Sequence, residues 1–162
     1  MIPNNPLAPL LALLRAAHLS HWTTHWTVEG TAFFADHQLF DQLYNALPGE
    51  IDTLAEKSVF LLGADVVDLK EQLALMLECS QYWLTERNLY TRALLVENDI
   101  QEAIKAAKKT LADNNMLSLG LDNFLAQMAD DHEKAKYLLG QRLKQEKVAS
   151  MAQRIASRWV KD

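Results

Sequence analysis

The sequence predicts an all-α protein, a four-helix bundle with a short helix in the crossover between helices 2 and 3. Three observations predict it. Apolar residues recur at three- and four-residue steps through four long segments. Only 5 Gly and 4 Pro among 162 residues leave little material for a many-turned β fold. One short, capped helical segment falls between the second and third long ones, as a crossover connection requires. At this length one domain with a proper core is expected, with residues 1–147 forming the bundle and residues 148–162 a basic amphipathic C-terminal extension.

The first helix is expected over residues 7–28, where Leu7, Leu10, Leu11 and Leu14 pass into His18, His21 and His25 at helical steps. Pro6 stands where a helix can begin and Gly30 where one can end. The second helix runs over 31–62 through Phe33, Phe40, Leu43, Leu47, Ile51 and Leu54, closed by Gly63. Pro48-Gly49 interrupts it. Proline lacks a backbone donor and crowds the carbonyl one turn back, so a kink or a full break is expected at Tyr44–Leu47. Asp68-Leu69-Lys70-Glu71 has the form of an N-terminal cap for a short helix over 69–78. A third long helix is expected over 81–112, and Asp113-Asn114-Asn115 is a turn signal before the fourth, over 117–146. In the extension, Val148, Met151, Ile155 and Trp159 share one face, with Arg154, Arg158 and Lys161 elsewhere.

Hydrophobic residues at 49% and charged residues at 23% are ordinary for a globular protein. The formal net charge of -5 is unevenly spread: residues 142–162 carry +4 and residues 1–141 carry -9. An acidic body repels polyanions in general; the basic tail can touch DNA locally and without sequence preference, but its amphipathic pattern points rather to packing on the body or on a partner protein. The single Cys79 allows no internal disulfide, which points to a reducing, cytoplasmic compartment. The N-terminus has no basic leader, and its apolar run of about eight residues is too short for a membrane span or signal peptide.

The chemistry concentrates in residues 25–56. His25, His37, Asp41, Asp52 and Glu56 are residue types that bind a redox metal. His37 and Asp41 are four apart, as are Asp52 and Glu56, so each pair projects from one helix face. His25 and His37 lie six residues either side of Thr31, so a hairpin there brings them level. The two pairs cannot meet along a straight helix: fifteen residues at about 1.5 Å of rise separate His37 from Asp52 by roughly 22 Å. Either the helix doubles back at Pro48-Gly49, bringing Asp41 and Glu56 together within one chain, or a second copy lies antiparallel across a twofold axis. In that copy Asp52 and Glu56 complete the first chain's His25, His37 and Asp41. His18 and His21 share a face with His25 and are expected to be interface or packing histidines. Asp130, Asp131, His132 and Glu133 could suggest a metal pair inside the bundle, but the other helices lack matching Glu-x-x-His motifs, so this run is expected to be a polar helix face.

The run His25-Trp26-x-Val28-x-Gly30, then His37-x-x-Phe40-Asp41-x-x-Tyr44, then Asp52-Thr53-Leu54-Ala55-Glu56 resembles the signature of the Dps family, the ferritin-like DNA-binding proteins from starved cells. The resemblance is dense over residues 15–63 and colinear to about residue 145. It implies a ferritin-like dodecamer built from twofold dimers around a hollow cage. Iron(II) would be oxidised at ferroxidase sites between subunits, typically by hydrogen peroxide, and stored as iron(III), protecting DNA. It assigns His25, His37 and Asp41 to one subunit and Asp52 and Glu56 to its partner, and favours a kink at Pro48. Trp26 would shield the site, quench radicals or simply pack at an interface. Some residues depart from the family pattern. Lys57 follows the glutamate where arginine is usual, Glu29 replaces a basic residue, Asp122-Asn123 weakens an acidic pore pattern, and the tail MIPNNPLAP has no lysine or arginine. The alternative from another class is a DNA-compacting or structural cage with a weak or vestigial metal site.

Overall fold

In the computed structural model, which describes residues 5–159 and side chains through Met151, five α-helices and two short 3-10 turns follow one another. Helix α1 (Leu7–Thr27) and α2 (Phe33–Leu62) form one antiparallel hairpin, and α4 (Leu89–Asp113) and α5 (Leu119–Trp159) form the other. Helix α3 (Leu69–Ser80) lies in the crossover and packs on α1. This is the expected four-helix bundle with a short crossover helix.

The α1–α2 connection turns at Gly30, whose φ of +95° is left-handed, so α2 restarts only at Phe33. Helix α2 then runs unbroken through Pro48 to Gly63, where φ is +89°. The full break, the alternative to a kink, does not occur. A proline in a helix interior costs about 3 kcal/mol, but Leu47 and Leu54 on either side of Pro48 are buried in one apolar cluster, which holds both halves in line. Asp68 caps α3 as its sequence promised, accepting from the Glu71 amide at 2.9 Å.

Two boundaries differ from expectation. The third long helix does not begin at residue 81. Instead Trp83–Thr85 forms a 3-10 turn, Asn88 is extended, and its side-chain oxygen accepts from the Tyr90 and Thr91 amides, starting α4 at Leu89. Trp83 decides this locally: its ring is buried and its Nε1 donates to Asp99 at 2.7 Å, which the helical register assumed from residue 81 did not anticipate. The second difference is that α5 has no helix end near residue 147, and its backbone continues to Trp159. The face expected from Ile155, Trp159, Arg154, Arg158 and Lys161 lies outside the described side chains, while Val148 and Met151 are exposed.

The core forms two apolar clusters. The larger gathers Leu7, Leu10, Leu14, Leu54, Ile100 and Leu125 with their neighbours, and the smaller gathers Val28, Phe40, Tyr90, Ala93, Ala135 and Leu139. Each long helix also contributes one member to a hydrogen-bonded polar cluster: His21 on α1, Glu50 on α2, Glu97 on α4 and His132 on α5. Among the described residues, no helix is long and apolar enough to cross a membrane.

Candidate metal centre

The hairpin brings His25 and His37 into register. Their rings stack with centroids 3.7 Å apart, His25 Nδ1 lies 2.9 Å from the His37 carbonyl oxygen, and His37 Nδ1 lies 2.9 Å from the His25 carbonyl oxygen. A ring nitrogen beside a carbonyl must donate, so each Nδ1 carries the proton and each Nε2 keeps a free lone pair. This is the tautomer a metal-binding imidazole needs, fixed here by the backbone of the opposite helix. Phe33 stacks on His37 at 5.1 Å and Tyr44 meets His25 edge-on at 5.2 Å.

Asp41 sits one turn below His37, half-buried, and its Oδ1 accepts from the Tyr44 hydroxyl at 3.0 Å. His25, His37 and Asp41 thus form one mixed imidazole–carboxylate patch at the hairpin end of the bundle. Asp52 and Glu56 lie about three and four turns further along the unbroken α2 than Asp41, both exposed. Asp52 borders a groove of about 350 Å³ with Arg15, His18 and Pro48. Because α2 is continuous, a rise of about 1.5 Å per residue keeps Asp52 roughly 22 Å from His37 and roughly 16 Å from Asp41 along the helix axis. Among the described residues, no group of three or more His, Cys, Asp or Glu side chains stands ready to hold a metal ion within one chain. His18, half-buried against Trp22 and Tyr44, has its pKa lowered by burial and by the neighbouring His21.

The start of α2 is clamped from the other hairpin. Asp36, buried beside His37 in sequence, receives Arg142 Nε at 2.6 Å, Arg142 Nη2 at 2.9 Å and the Tyr90 hydroxyl at 2.5 Å. This two-pronged guanidinium–carboxylate pair is a strong, oriented contact. It raises the Arg142 pKa, while burial and the bond to Asp36 push Tyr90 up to about 12. Arg142 therefore belongs to the body and not to the free basic tail, and Glu146 likewise accepts from Asn88 Nδ2 at 3.1 Å. Lys144 and Lys147 remain exposed.

A second polar cluster was misjudged from sequence. Asp130, Asp131 and Glu133 are exposed as a polar face should be, but His132 is buried. Its Nδ1 lies 2.6 Å from Glu97 Oε2 and its Nε2 lies 3.1 Å from Glu50 Oε2, while His21 Nε2 lies 2.9 Å from Glu97 Oε1. Burial alone would raise the Glu97 pKa, but the hydrogen bonds from His132 and His21 outweigh it and hold the carboxyl ionised below the usual range. Burial opposes the charged form of His132, yet the two carboxylates raise its pKa to about 10. The signal was present in the spacing: Leu125, Met128, His132, Ala135 and Leu139 form one apolar stripe in which His132 takes a core position. Leu43, Leu47, Glu50 and Leu54 show the same pattern.

No family model matches the chain. It is 33% identical over 72 residues to the DNA protection during starvation protein of Brevibacillus brevis, covering 40% of this chain and 48% of that protein. It is 43% identical over 49 residues to General stress protein 20U of Bacillus subtilis, covering 30% of this chain and 34% of that protein. The matched stretches thus span less than half the length of these curated relatives. The X-ray structure of Dps from Thermosynechococcus elongatus shares the fold with a TM-score of 0.70 at 19% identity, covering 85% of this chain and 89% of that one. The chain is thus similar to these starvation and stress proteins over part of its length, and it shares its four-helix fold with Dps over most of it.

Proposed function

We propose that the protein assembles through twofold dimers into a homo-oligomeric cage, a dodecamer by family resemblance, and oxidises and stores iron. The observation that carries this reading is the mutual locking of His25 and His37, which leaves two Nε2 lone pairs facing outward beside Asp41. Imidazole and carboxylate together suit iron(II), and carboxylates favour the iron(III) product. Asp52 and Glu56 of the partner subunit complete the site, so each dimer holds two equivalent sites. Tyr44 steadies the Asp41 carboxylate, and the Asp36–Arg142–Tyr90 clamp fixes the helix start that carries His37.

Iron(II) is the substrate. Two iron(II) ions each give one electron; hydrogen peroxide takes both with two protons, its O–O bond breaks, and two waters form. Peroxide consumed in this way generates no hydroxyl radical, which is how such a protein would guard DNA. The name of the Brevibacillus relative, a DNA protection protein, supports this role. Exposed Lys144 and Lys147 add a weak, salt-dependent contact to the DNA backbone, multiplied over the subunits of a cage.

A mixed-subunit experiment tests the shared site. Chains carrying His37→Ala and chains carrying Glu56→Ala are inactive alone; reassembled together, they recover part of the iron-dependent peroxide consumption, because some dimers pair an intact His25/His37/Asp41 set with an intact Asp52/Glu56 set. No recovery from properly assembled mixtures would sink the shared site.

A further inference from the structure

The buried layer His21–Glu97–His132–Glu50 draws one side chain from each of the four long helices, and it is separate from the surface histidines. At its outer end lies a cavity of about 440 Å³ bordered by Gly49, Glu50, Asp131, His132 and Lys134. Glu50, its side chain 14% exposed, lines this space together with His132 and Glu97, while His21 does not border it.

The hydrogen-bond directions constrain what lies between Glu50 and His132. His132 Nδ1 faces Glu97 Oε2 at 2.6 Å and must donate to it, which leaves Nε2 facing a second carboxylate oxygen at 3.1 Å. A bare lone pair opposite a carboxylate is repulsive, so a cation occupies that gap: a proton or a metal ion. Two donors bound to one metal at about 2.1 Å, with an angle near 90–110°, sit roughly 3.0–3.4 Å apart. The observed separation falls inside that range, so a metal ion fits with little movement of either side chain.

We propose that Glu50 Oε2 and His132 Nε2 form a second metal site, inside each bundle, for a divalent cation of the Fe(II), Co(II), Zn(II) class whose remaining coordination is water from the adjoining cavity. Glu97 acts as the orienting carboxylate behind the histidine ligand, the arrangement that fixes ring and tautomer in many metal sites. His21 holds the other oxygen of Glu97 at 2.9 Å, so the carboxylate cannot swing away. On binding, the cation replaces the proton between Nε2 and Oε2, and that proton leaves through the cavity to solvent. Asp131 and Lys134 at the rim offset each other in charge. The bound ion would tie α2 to α5, which otherwise touch little. It needs no partner subunit and so stands apart from the proposed interfacial site.

The test uses the full-length assembled protein with His25→Ala, His37→Ala, Asp52→Ala and Glu56→Ala, which removes the imidazoles and the partner carboxylates of the interfacial sites, and Co(II) as probe. One Co(II) per chain is expected, with a raised thermal midpoint and X-ray absorption showing imidazole scattering. Adding Glu50→Gln should weaken binding at least about tenfold, in line with the sensitivity of metal sites to lost ligands, and abolish the thermal shift, whereas adding Asp131→Asn should leave both intact. The proposal is overturned if the background protein takes up no Co(II), if the bound ion shows no imidazole, if Glu50→Gln binds as tightly, or if Asp131→Asn is equally damaging. The first outcome would mean that a proton alone bridges the pair. Because those interfacial ligands are absent throughout, failure here leaves the oxidation site untouched.

Discussion

His21 and His25 stand one turn apart on α1, yet the first is fully buried against Glu97 while the second is half-exposed beside His37. The inner cluster is paired within one chain: carboxylates and imidazoles from four helices meet at hydrogen-bond distance, with only His21 Nδ1 left buried and unpaired among them. The outer cluster is unsaturated, with both Nδ1 atoms satisfied by backbone and both Nε2 atoms without a hydrogen-bond partner among the described residues. A buried ionisable group must find its partners inside the fold or cost several kcal/mol. A surface ligand can leave its valence open for a metal and a second subunit. The same residue type is thus fully buried in one place and half-exposed with an open nitrogen in the other.

This contrast predicts opposite phenotypes. Replacing Asp52 or Glu56 by Ala should lower iron(II)-dependent peroxide consumption by at least about a hundredfold, given that even outer-shell changes cost metal sites about 10–100-fold. The unfolding midpoint in urea should barely move, as for surface substitutions within about 0.5 kcal/mol. A large stability loss in these variants would break the comparison. Glu97→Ala should do the reverse, lowering the unfolding free energy by about 3–5 kcal/mol because His132 keeps a buried charge without its main partner. A loss below about 1 kcal/mol would show that the inner cluster is not cohesive.

The inner cluster also sets a pH window. Glu97 is held at about 2 against its ordinary 4.5, so its contribution is present above pH 4.5 and fades as pH falls through 2. His132 is raised from 6.5 to about 10, so its contribution is full below pH 6.5 and fades as pH rises through 10. Urea midpoints measured across that range should form a plateau between pH 4.5 and 6.5, and Glu97→Gln should flatten the acid limb. The smallest effect concerns the outer cluster's support: Tyr44→Phe removes one hydrogen bond to Asp41, worth about 0.5–1.5 kcal/mol, and should slow iron oxidation several-fold with assembly unchanged on gel filtration.

The meeting of His25 and His37 was legible in sequence because both lie on one hairpin. The symmetric placement of His25 and His37 about Thr31 foretold their stacking, since a hairpin turn relates positions by simple counting. The cap at Asp68 and the closing Gly63 were equally local. What escaped was long-range. Arg142 was counted with the tail, but its partner Asp36 lies 106 residues away. His132 was assigned to a polar face by its charged neighbours, although its stripe of apolar companions placed it inward.

The sequence alone determined the helices, the crossover and the two separated ligand pairs, because periodicity, caps and offsets along a helix depend on residues within a few turns of each other. Tertiary packing decided that Pro48 would not break α2, that Trp83 would delay α4, and that Glu97 would bridge two histidines. Each of those outcomes depends on which distant surface is buried against the element, a balance of burial and pairing energies that local spacing does not contain.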